Sequence, residues 1–332
     1  MIESQPVVSC NTRVSRSIQD ASVVGNQHLC REHLRLTLRM SAFAGARPGQ
    51  FVHIGAASDG IDEVITGSGD GTTEASPDVR LGTGAPVLLR RAFSIAGIET
   101  DAQGSTIEII YRVVGRGTRW MASLVEGDVA SVLGPLGREF PVFADKPIAY
   151  LVAGGVGLGP VLCLAETLAK AGKRTVAMCG ARTADLFPLS VNRANPPAKS
   201  ASQAVPACVE FACHGVPVVL STDDGSLGFA GHVGEALTEY HRANPAAADD
   251  IVVYACGPEL MMRFVADFCE RLGITCYVCM ERSMACGMGT CQSCVVPVRD
   301  ESDVDGWRYE LCCTDGPVFD ARRIAWNSNP NR

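Results

Sequence analysis

Apolar and polar positions alternate with period two through the first part of the chain. In HLRLTLRM (33–40), Leu34, Leu36, Leu38 and Met40 alternate with Arg35, Thr37 and Arg39, the pattern of a half-buried strand. GQFVHIG (49–55) and STIEIIYRVVG (105–115) predict further strands, and a short helix is expected at 118–125. Several short strands with turn signals between them predict a small antiparallel barrel over residues 7–144. Within it, SDGIDEVITGSGDGTTEASPDVRLGTGAP (58–86) is rich in Gly, Asp, Thr and Ser and reads as a surface insertion covering about 56–87.

From Pro147 the pattern changes to strand, glycine turn, helix, strand. AYLVAG (149–154), TVAMCG (175–180), PVVLST (217–222) and IVVYACG (251–257) are strand-like, and LGPVLCLAETLAKAG (158–172) and PELMMRFVADFCERLG (258–273) are helix-like. Both helices have proline in the first turn and glycine at the end, the favoured asymmetry. Alternation of this kind predicts a parallel sheet covered by helices over 145–280, with a loop insertion at about 190–207. One uncharged run, IAYLVAGGVGLGPVLCLA (148–165), has the length of a membrane span. Gly154, Gly155, Gly157, Gly159 and Pro160 break it, so a buried strand, a tight turn and a buried helix are expected instead. Residues 281–325 form a third, cysteine-bearing unit.

Composition narrows the functional classes. The 332 residues are 47% hydrophobic and 20% charged, enough for a substantial core, with a formal net charge of −7. That sign argues against a nucleic-acid partner, which needs a basic surface. Fifteen cysteines accompany an N-terminal stretch, MIESQPVVSCNTRVSRS, that has no apolar signal-peptide run. A reducing, cytoplasmic setting is expected, with no membrane attachment, and clustered thiols there favour metal binding.

The densest chemistry lies in ERSMACGMGTCQSC (281–294). Cys286, Cys291 and Cys294 make C-x4-C-x2-C, and a Cys312–Cys313 pair lies downstream. That is the plant-type [2Fe–2S] spacing, with its distant fourth cysteine. Gly287 and Gly289 permit left-handed backbone and let amide N–H groups approach the sulfurs. A four-cysteine zinc site is the alternative, but it favours paired C-x2-C knuckles. Unrelated core cysteines are the other.

Four weaker patterns accompany it. RRAFSIAG (90–97) with YRVVGRGT (111–118) offers Arg91 to a phosphate and Gly117–Thr118 as a helix start that favours an anion. An amphipathic strand with a solvated arginine pair explains the same residues. AGGVGLGP (153–160) places Gly155, Gly157 and Pro160 after a buried strand, suited to a nucleotide phosphate or simply to a tight turn. Cys256, Gly257 and Pro258 end another parallel strand at the sheet edge where ligands bind, although Cys256 also reads as an ordinary core residue. Asp223 and Asp224 in TDDGS are either ribose acceptors that repel a 2′-phosphate or a solvated turn. The six histidines show no ligand spacing and read as structural.

In order, RRAFSIAG, YRVVGRGT, GPLGREF, AGGVGLGP, TDDGS, ACGPELM, MACGMGTCQSC and CTDGPVF resemble the electron-transfer subunits of NAD-linked dihydroorotate dehydrogenases, members of the ferredoxin reductase-like flavoproteins. The resemblance covers roughly 30–323 apart from the two insertions. It implies a β-barrel FAD domain, a parallel α/β NAD-binding domain and a small C-terminal [2Fe–2S] unit. The family's Arg-Pro-x-Ser segment for FAD aligns on Arg91, Ala92, Phe93 and Ser94, with Ala92 in place of proline and Ser94 near the flavin N5. The other FAD segments fall on Ile110, Tyr111 and Arg112, and on Gly117 and Thr118. The fourth cluster ligand falls on Cys313, with the Cys312 side chain expected to point the other way in an extended segment.

The resemblance further implies a separate FMN-bearing catalytic subunit that oxidises dihydroorotate in pyrimidine biosynthesis, two of each chain forming a heterotetramer. Electrons would pass from FMN through the cluster and FAD to NAD. No general base for the pyrimidine step is evident in this chain. Related flavin/iron–sulfur subunits of ferredoxin–NAD(P) oxidoreductases or hydrogenases, oxygenase reductases, and a zinc-stabilised nucleotide-binding module are the competing readings.

Overall fold

The computed structural model describes residues 16–41, 43, 45–57 and 89–327. The expected insertion at about 56–87 lies almost wholly outside the described residues, as does the expected start of the first domain at residue 7.

The first unit holds β1 (Ser17–Cys30), β2 (His33–Met40), β3 (Phe51–Ala56), β4 (Arg91–Ser94), β5 (Gly97–Asp101), β6 (Gly104–Arg112) and β7 (Val129–Leu136), with helix α1 (Arg116–Ser123) between β6 and β7. They form one antiparallel sheet in the order β4-β3-β7-β1-β2-β6-β5. The alternation in β2 is real: Leu34, Leu36, Leu38 and Met40 are buried, and they pack with Val52, Ile54, Ile107 and Ile109 inside the curl. Burying each such side chain contributes roughly 1.5–3 kcal/mol. The expected barrel takes the form of a curled antiparallel sheet, a half-barrel whose edge strands β4 and β5 do not pair. The chain itself joins the two edges. Ile95 N–H donates to Gln50 O at 3.2 Å on one side, and Ala96 N–H donates to Glu108 O at 2.8 Å on the other.

The second unit follows the predicted βα grammar. Its strands are β8 (Ile148–Gly154), β9 (Arg174–Ala181), β10 (Val218–Thr222), β11 (Phe229–Ala230), β12 (Ile251–Cys256) and β13 (Thr275–Cys279). Its helices are α2 (Leu158–Lys170), α3 (Val209–Ala212), α4 (Val233–Ala243) and α5 (Glu259–Leu272). All of these strands are parallel, in the order β11-β10-β9-β8-β12-β13. Strand order therefore reverses between β8 and β12. The run 148–165 is β8, a 3₁₀ turn at Gly155–Gly157 and the start of α2. No helix among the described residues is long and apolar enough to cross a membrane. The expected loop at 190–207 is irregular and held by a short antiparallel bridge from Val205 to Val218.

Past β13, the chain makes the thiol-bearing loop and a hairpin, β14 (Val295–Arg299) and β15 (Trp307–Leu311). Then β16 (Val318–Asp320) returns antiparallel to β13 at the edge of the second sheet. The outer face of the first unit packs here. Phe51, Leu133 and Leu136 share one buried cluster with Val278, Cys294, Cys312 and Cys313. The three parts thus meet along one seam.

Candidate functional site

A cleft of about 880 Å³ opens along that seam, at the carboxyl ends of the parallel strands where their order reverses. That is where open α/β sheets bind ligands, because the loops from neighbouring strands diverge there. One wall comes from the curled sheet: Ala92, Phe93 and Ser94 of β4, and Ile110, Tyr111 and Arg112 of β6, with Thr118 beyond. Phe93 and Tyr111 meet edge to face at 6.2 Å, giving an aromatic wall. The Tyr111 hydroxyl donates to Asn26 Oδ1 at 3.0 Å, and burial pushes its pKa up to about 12. Asn26 in turn donates to Met121 O and Leu124 O, tying β1 to α1. Arg112 is paired with Glu32 at the cleft mouth.

The expected start of the helix is corrected here. It begins at Arg116 with Gly115 as its N-cap, so Gly117 and Thr118 lie inside the first turn. The Thr118 hydroxyl is engaged locally, accepting from Val114 N–H at 2.9 Å and Gly115 N–H at 3.0 Å. What the first turn offers an anion is its backbone N–H groups, which have no intrahelical acceptor.

The opposite wall is made by two turns at the switch point. Gly155 and Gly157 follow β8, and Cys256, Gly257 and Pro258 follow β12. The turns interlock: a Cβ on Gly157 would stand 2.2 Å from Cys256 O. Glycine there is demanded by backbone meeting backbone, which also leaves the turn open to a ligand. The Cys256 thiol donates to Cys279 O at 3.4 Å, so it is both a core residue and a cleft residue.

The two aspartates separate. Asp223 lines the cleft and lies 3.0 Å from His232 Nδ1. Asp224 turns away, accepting from Ser226 N–H at 3.0 Å and Ser226 O–H at 2.6 Å, and the Ser226 hydroxyl leads in holding its carboxyl below the usual range. Four of the predicted nucleotide-binding residues are not brought to the cleft wall: Arg91, Gly117, Pro160 and Asp224. Arg91 sits at the exposed start of β4 with its guanidinium folded onto Leu89 O and Arg90 O. Pro160 is buried within α2.

The sequence reading missed other cleft residues. Arg182, His33, His232 and Met261 line it as well. His33 carried a signal, since it sits at the buried start of the alternating β2 run; the others carried none.

The thiol loop closes the far end. Met284, just before Cys286, and Pro317, just after the Cys313 turn, both line the cleft. Cys286 Sγ accepts from Met288 N–H and Cys291 N–H, each at 3.4 Å. Cys294 and Cys313 share a hydrogen bond, and Gly289 N–H points at the Cys313 sulfur. The Ser293 hydroxyl, 3.2 Å from Cys291 Sγ, leads in lowering that thiol to about 6, whereas burial pushes Cys313 up to about 12. Among the described residues no group of three or more His, Cys, Asp or Glu side chains is set to hold a single metal ion. The thiols fall instead into two pairs, Cys286 with Cys291 and Cys294 with Cys313. Two pairs suit two metal atoms better than one. Cys312 faces away, its thiol donating to Met280 O at 3.3 Å. It does so from a turn rather than from the extended segment expected.

One side chain beside this loop has no role in the reading above. His53, on β3, is fully buried, and neither ring nitrogen has a partner among the described residues. Burial first, then Arg90 and Arg91, pushes it down to about 4.

Known proteins share these features. A family profile described as the iron–sulfur cluster binding domain of dihydroorotate dehydrogenase B matches residues 281–325, and one for an oxidoreductase NAD-binding domain matches 151–267. The dihydroorotate dehydrogenase B (NAD(+)) electron transfer subunit of Fusobacterium nucleatum is 30% identical over 91% of this chain and 96% of its own length. That of Streptococcus mutans is 31% identical over 92% and 97%. That of Geobacillus kaustophilus is 34% identical over 84% and 86%. Among solved structures, an NADH-dependent reduced ferredoxin–NADP oxidoreductase superposes with a TM-score of 0.68 over 94% of this chain and 92% of its own, at 23% identity. A ferredoxin reductase of carbazole 1,9a-dioxygenase gives 0.55 over 79% and 68%, at 19% identity. These structural likenesses concern the ferredoxin reductase-like fold, while the sequence relationships reach further: the chain belongs to the family of electron transfer subunits of dihydroorotate dehydrogenase B.

Proposed function

We propose that this chain carries electrons between a separate catalytic subunit and NAD, using bound FAD and a [2Fe–2S] cluster. The observation that carries the reading is the placement of Met284 and Pro317. The residues flanking both thiol segments are themselves walls of the cleft, so the cluster loop and the nucleotide site are one assembly. Flavin supplies the conversion between hydride transfer to nicotinamide and single-electron transfer at a two-iron centre.

The chain's own residues bind and orient. Units at about 7–144, 145–280 and 281–325 are assigned to the flavin, the nicotinamide nucleotide and the cluster. Phe93 and Tyr111 present an aromatic wall to the flavin ring, with the Ser94 hydroxyl beside it. The first-turn N–H groups of α1 favour the pyrophosphate, and Arg112 adds positive charge. Turns 155–157 and 256–258 receive the nicotinamide nucleotide, and Asp223 repels a 2′-phosphate there. Cys286, Cys291, Cys294 and Cys313 hold the cluster, with loop N–H groups already directed at the sulfurs. The partner is an FMN-bearing barrel that oxidises dihydroorotate, assembled with this chain as two of each.

The test is to purify the chain under argon, record its visible spectrum and assay iron, sulfide and FAD. Co-expression with a candidate catalytic subunit should then give orotate formation that depends on NAD. A colourless protein with stoichiometric zinc would end the redox reading. An iron-loaded yellow-brown protein inert with the partner would end the pyrimidine assignment alone.

A further inference from the structure

Cys256 and Cys279 end neighbouring strands of the parallel sheet. Their Cα atoms are direct partners in the β12–β13 register, so the two side chains leave the sheet on the same face. The residues before them, Ala255 and Val278, pack into the cluster on one face, while Cys256 and Cys279 pack into the cluster on the other. The thiols also meet. Cys256 Sγ leans across to donate to Cys279 O at 3.4 Å, and the Cys279 thiol in turn bonds to that of Cys256. Both residues line the cleft, with Pro258, Met261 and Met280 around them.

The row across the sheet adds no further ligand. Ala153 flanks Cys256 on one side, and Val318 flanks Cys279 on the other. Cys312 lies near both, but its thiol donates to Met280 O and does not line the cleft. Among the described residues the pair belongs to no group of three or more potential metal ligands. Two sulfurs set side by side in a cleft wall can close a ring on a ligand that forms two bonds. The Cys256 thiol leads, with burial second, in holding the Cys279 thiol well above its ordinary value, so Cys279 stays protonated at neutral pH. A protonated thiol is a poor nucleophile and a poor ligand for a cation. A neutral electrophile whose own oxygen carries the protons away avoids that obstacle.

We propose that Cys256 and Cys279 form a dithiol site for neutral trivalent arsenicals, electrophiles that make two bonds to sulfur, and that the occupant blocks the nicotinamide end of the cleft. The blocking rests on the assignment of turns 155–157 and 256–258 to the nicotinamide nucleotide. In the reaction an arsenic–oxygen double bond and two S–H bonds break, and two arsenic–sulfur bonds form. The oxygen leaves as water with both thiol protons. Arsenic stays trivalent, so no oxidant or reductant is required. The second arsenic–sulfur bond forms within one molecule, which makes the ring roughly a hundredfold firmer than an adduct on a single thiol. A second hydrogen-bonded pair, Cys269 with Cys276, does not line the cleft and serves as the internal comparison.

The experiment uses the intact chain loaded with iron and FAD and handled under argon. Phenylarsine oxide is the probe, with excess glutathione to strip adducts held by one sulfur. Activity is NADH oxidation by an artificial acceptor, each variant being compared with its own untreated sample. The wild type should take up one arsenical per chain, found by mass as a bridge between the Cys256 and Cys279 peptides, and lose its activity with iron and FAD retained. Dithiothreitol should restore activity, and saturating NAD should slow uptake. Cys279→Ser and Cys256→Ala should each weaken glutathione-resistant binding by roughly a hundredfold, while Cys269→Ala should bind as the wild type does. A fully loaded wild type with no glutathione-resistant adduct overturns the proposal, as does an adduct that persists in Cys279→Ser. If Cys256→Ala fails to fold, the wild type together with Cys279→Ser still decides. An adduct mapped to the pair that NAD does not slow, and that leaves activity intact, would establish the dithiol site but refute the nicotinamide assignment and with it the blocking.

Discussion

Cys312 and Cys313 are adjacent in the chain, yet their thiols serve opposite sides of one turn. Cys312 Sγ donates to Met280 O at 3.3 Å, away from the loop. Cys313 pairs with Cys294 and receives the Gly289 N–H. Cys313→Ser is expected to lose at least half of the bound iron, because serine is a poor replacement for a buried thiolate ligand. Cys312→Ser is expected to keep its iron, since a hydroxyl can still donate to Met280 O, and to lose only about 1 kcal/mol of stability. Iron and acid-labile sulfide per chain, with the visible spectrum, separate the two. Equal iron loss in both variants would remove Cys313 from its assigned role.

Gly287 is constrained twice. Its φ is +70°, and a Cβ there would stand 2.8 Å from His53 Nε2. Gly306, in the turn between β14 and β15, has φ +74° and nothing within 4 Å of a built Cβ. Alanine at Gly306 thus meets only backbone strain, roughly 1–2 kcal/mol. Alanine at Gly287 meets that strain and a steric collision with a buried ring. Gly287→Ala should lower the anaerobic thermal midpoint clearly more than Gly306→Ala, and it alone should reduce iron content. Equal shifts in the two variants would show that the ring contact has no consequence.

How far the sequence discloses this site depends on the range over which each residue finds its partner. The Leu34–Met40 alternation and the C-x4-C-x2-C spacing are local, and both are legible. The 148–165 run is legible too, because its breakers sit in its middle. His53 is not, since nothing in FVHIG shows that Gly287 will lie against it. Nor is β16, a strand that exists only because β13 offers it an edge. The open edge of the curled sheet is equally hidden, as turn signals between strands do not say whether the first and last will pair. Arg91 follows the family pattern in sequence, but its guanidinium rests on neighbouring carbonyls instead of facing the cleft.

Asp223 and Asp224 are interchangeable on the page and not in space. Asp224 is committed to Ser226, and Asp223 faces the cleft beside His232. Removing the Asp223 carboxylate should weaken discrimination against a 2′-phosphate. Asp223→Ala is expected to raise the ratio of kcat/KM for NADPH over NADH by about tenfold, equivalent to about 1.4 kcal/mol. Asp224→Ala should leave that ratio within about twofold and act on stability instead. Steady-state diaphorase assays with both nucleotides and an artificial acceptor measure this. An unchanged ratio in Asp223→Ala would show that selectivity resides elsewhere, with Arg182 as the next residue to change.

Burial and the nearby Arg90 and Arg91 charges also make His53 a source of acid sensitivity. Its folded pKa is about 4, against 6.5 for an ordinary histidine. Between those values the unfolded chain binds a proton that the folded chain refuses, so stability must fall as the pH falls through that window. Above pH 6.5 both states are neutral and the group contributes no slope; below about 4 both are protonated and the loss is complete. The full loss is on the order of 3 kcal/mol. His33 and His241 are lowered by burial as well and act with the same sign, but they remain in a His53→Phe variant. The His53 share is therefore the difference between wild type and variant. Urea unfolding under argon at intervals from pH 7.5 to 4.5 should give curves that run parallel above pH 7 and separate below 6.5, with the variant losing less. Curves that stay parallel throughout would mean that His53 accepts its proton in the folded chain as readily as in the unfolded one, and that its nitrogens are not sealed from water.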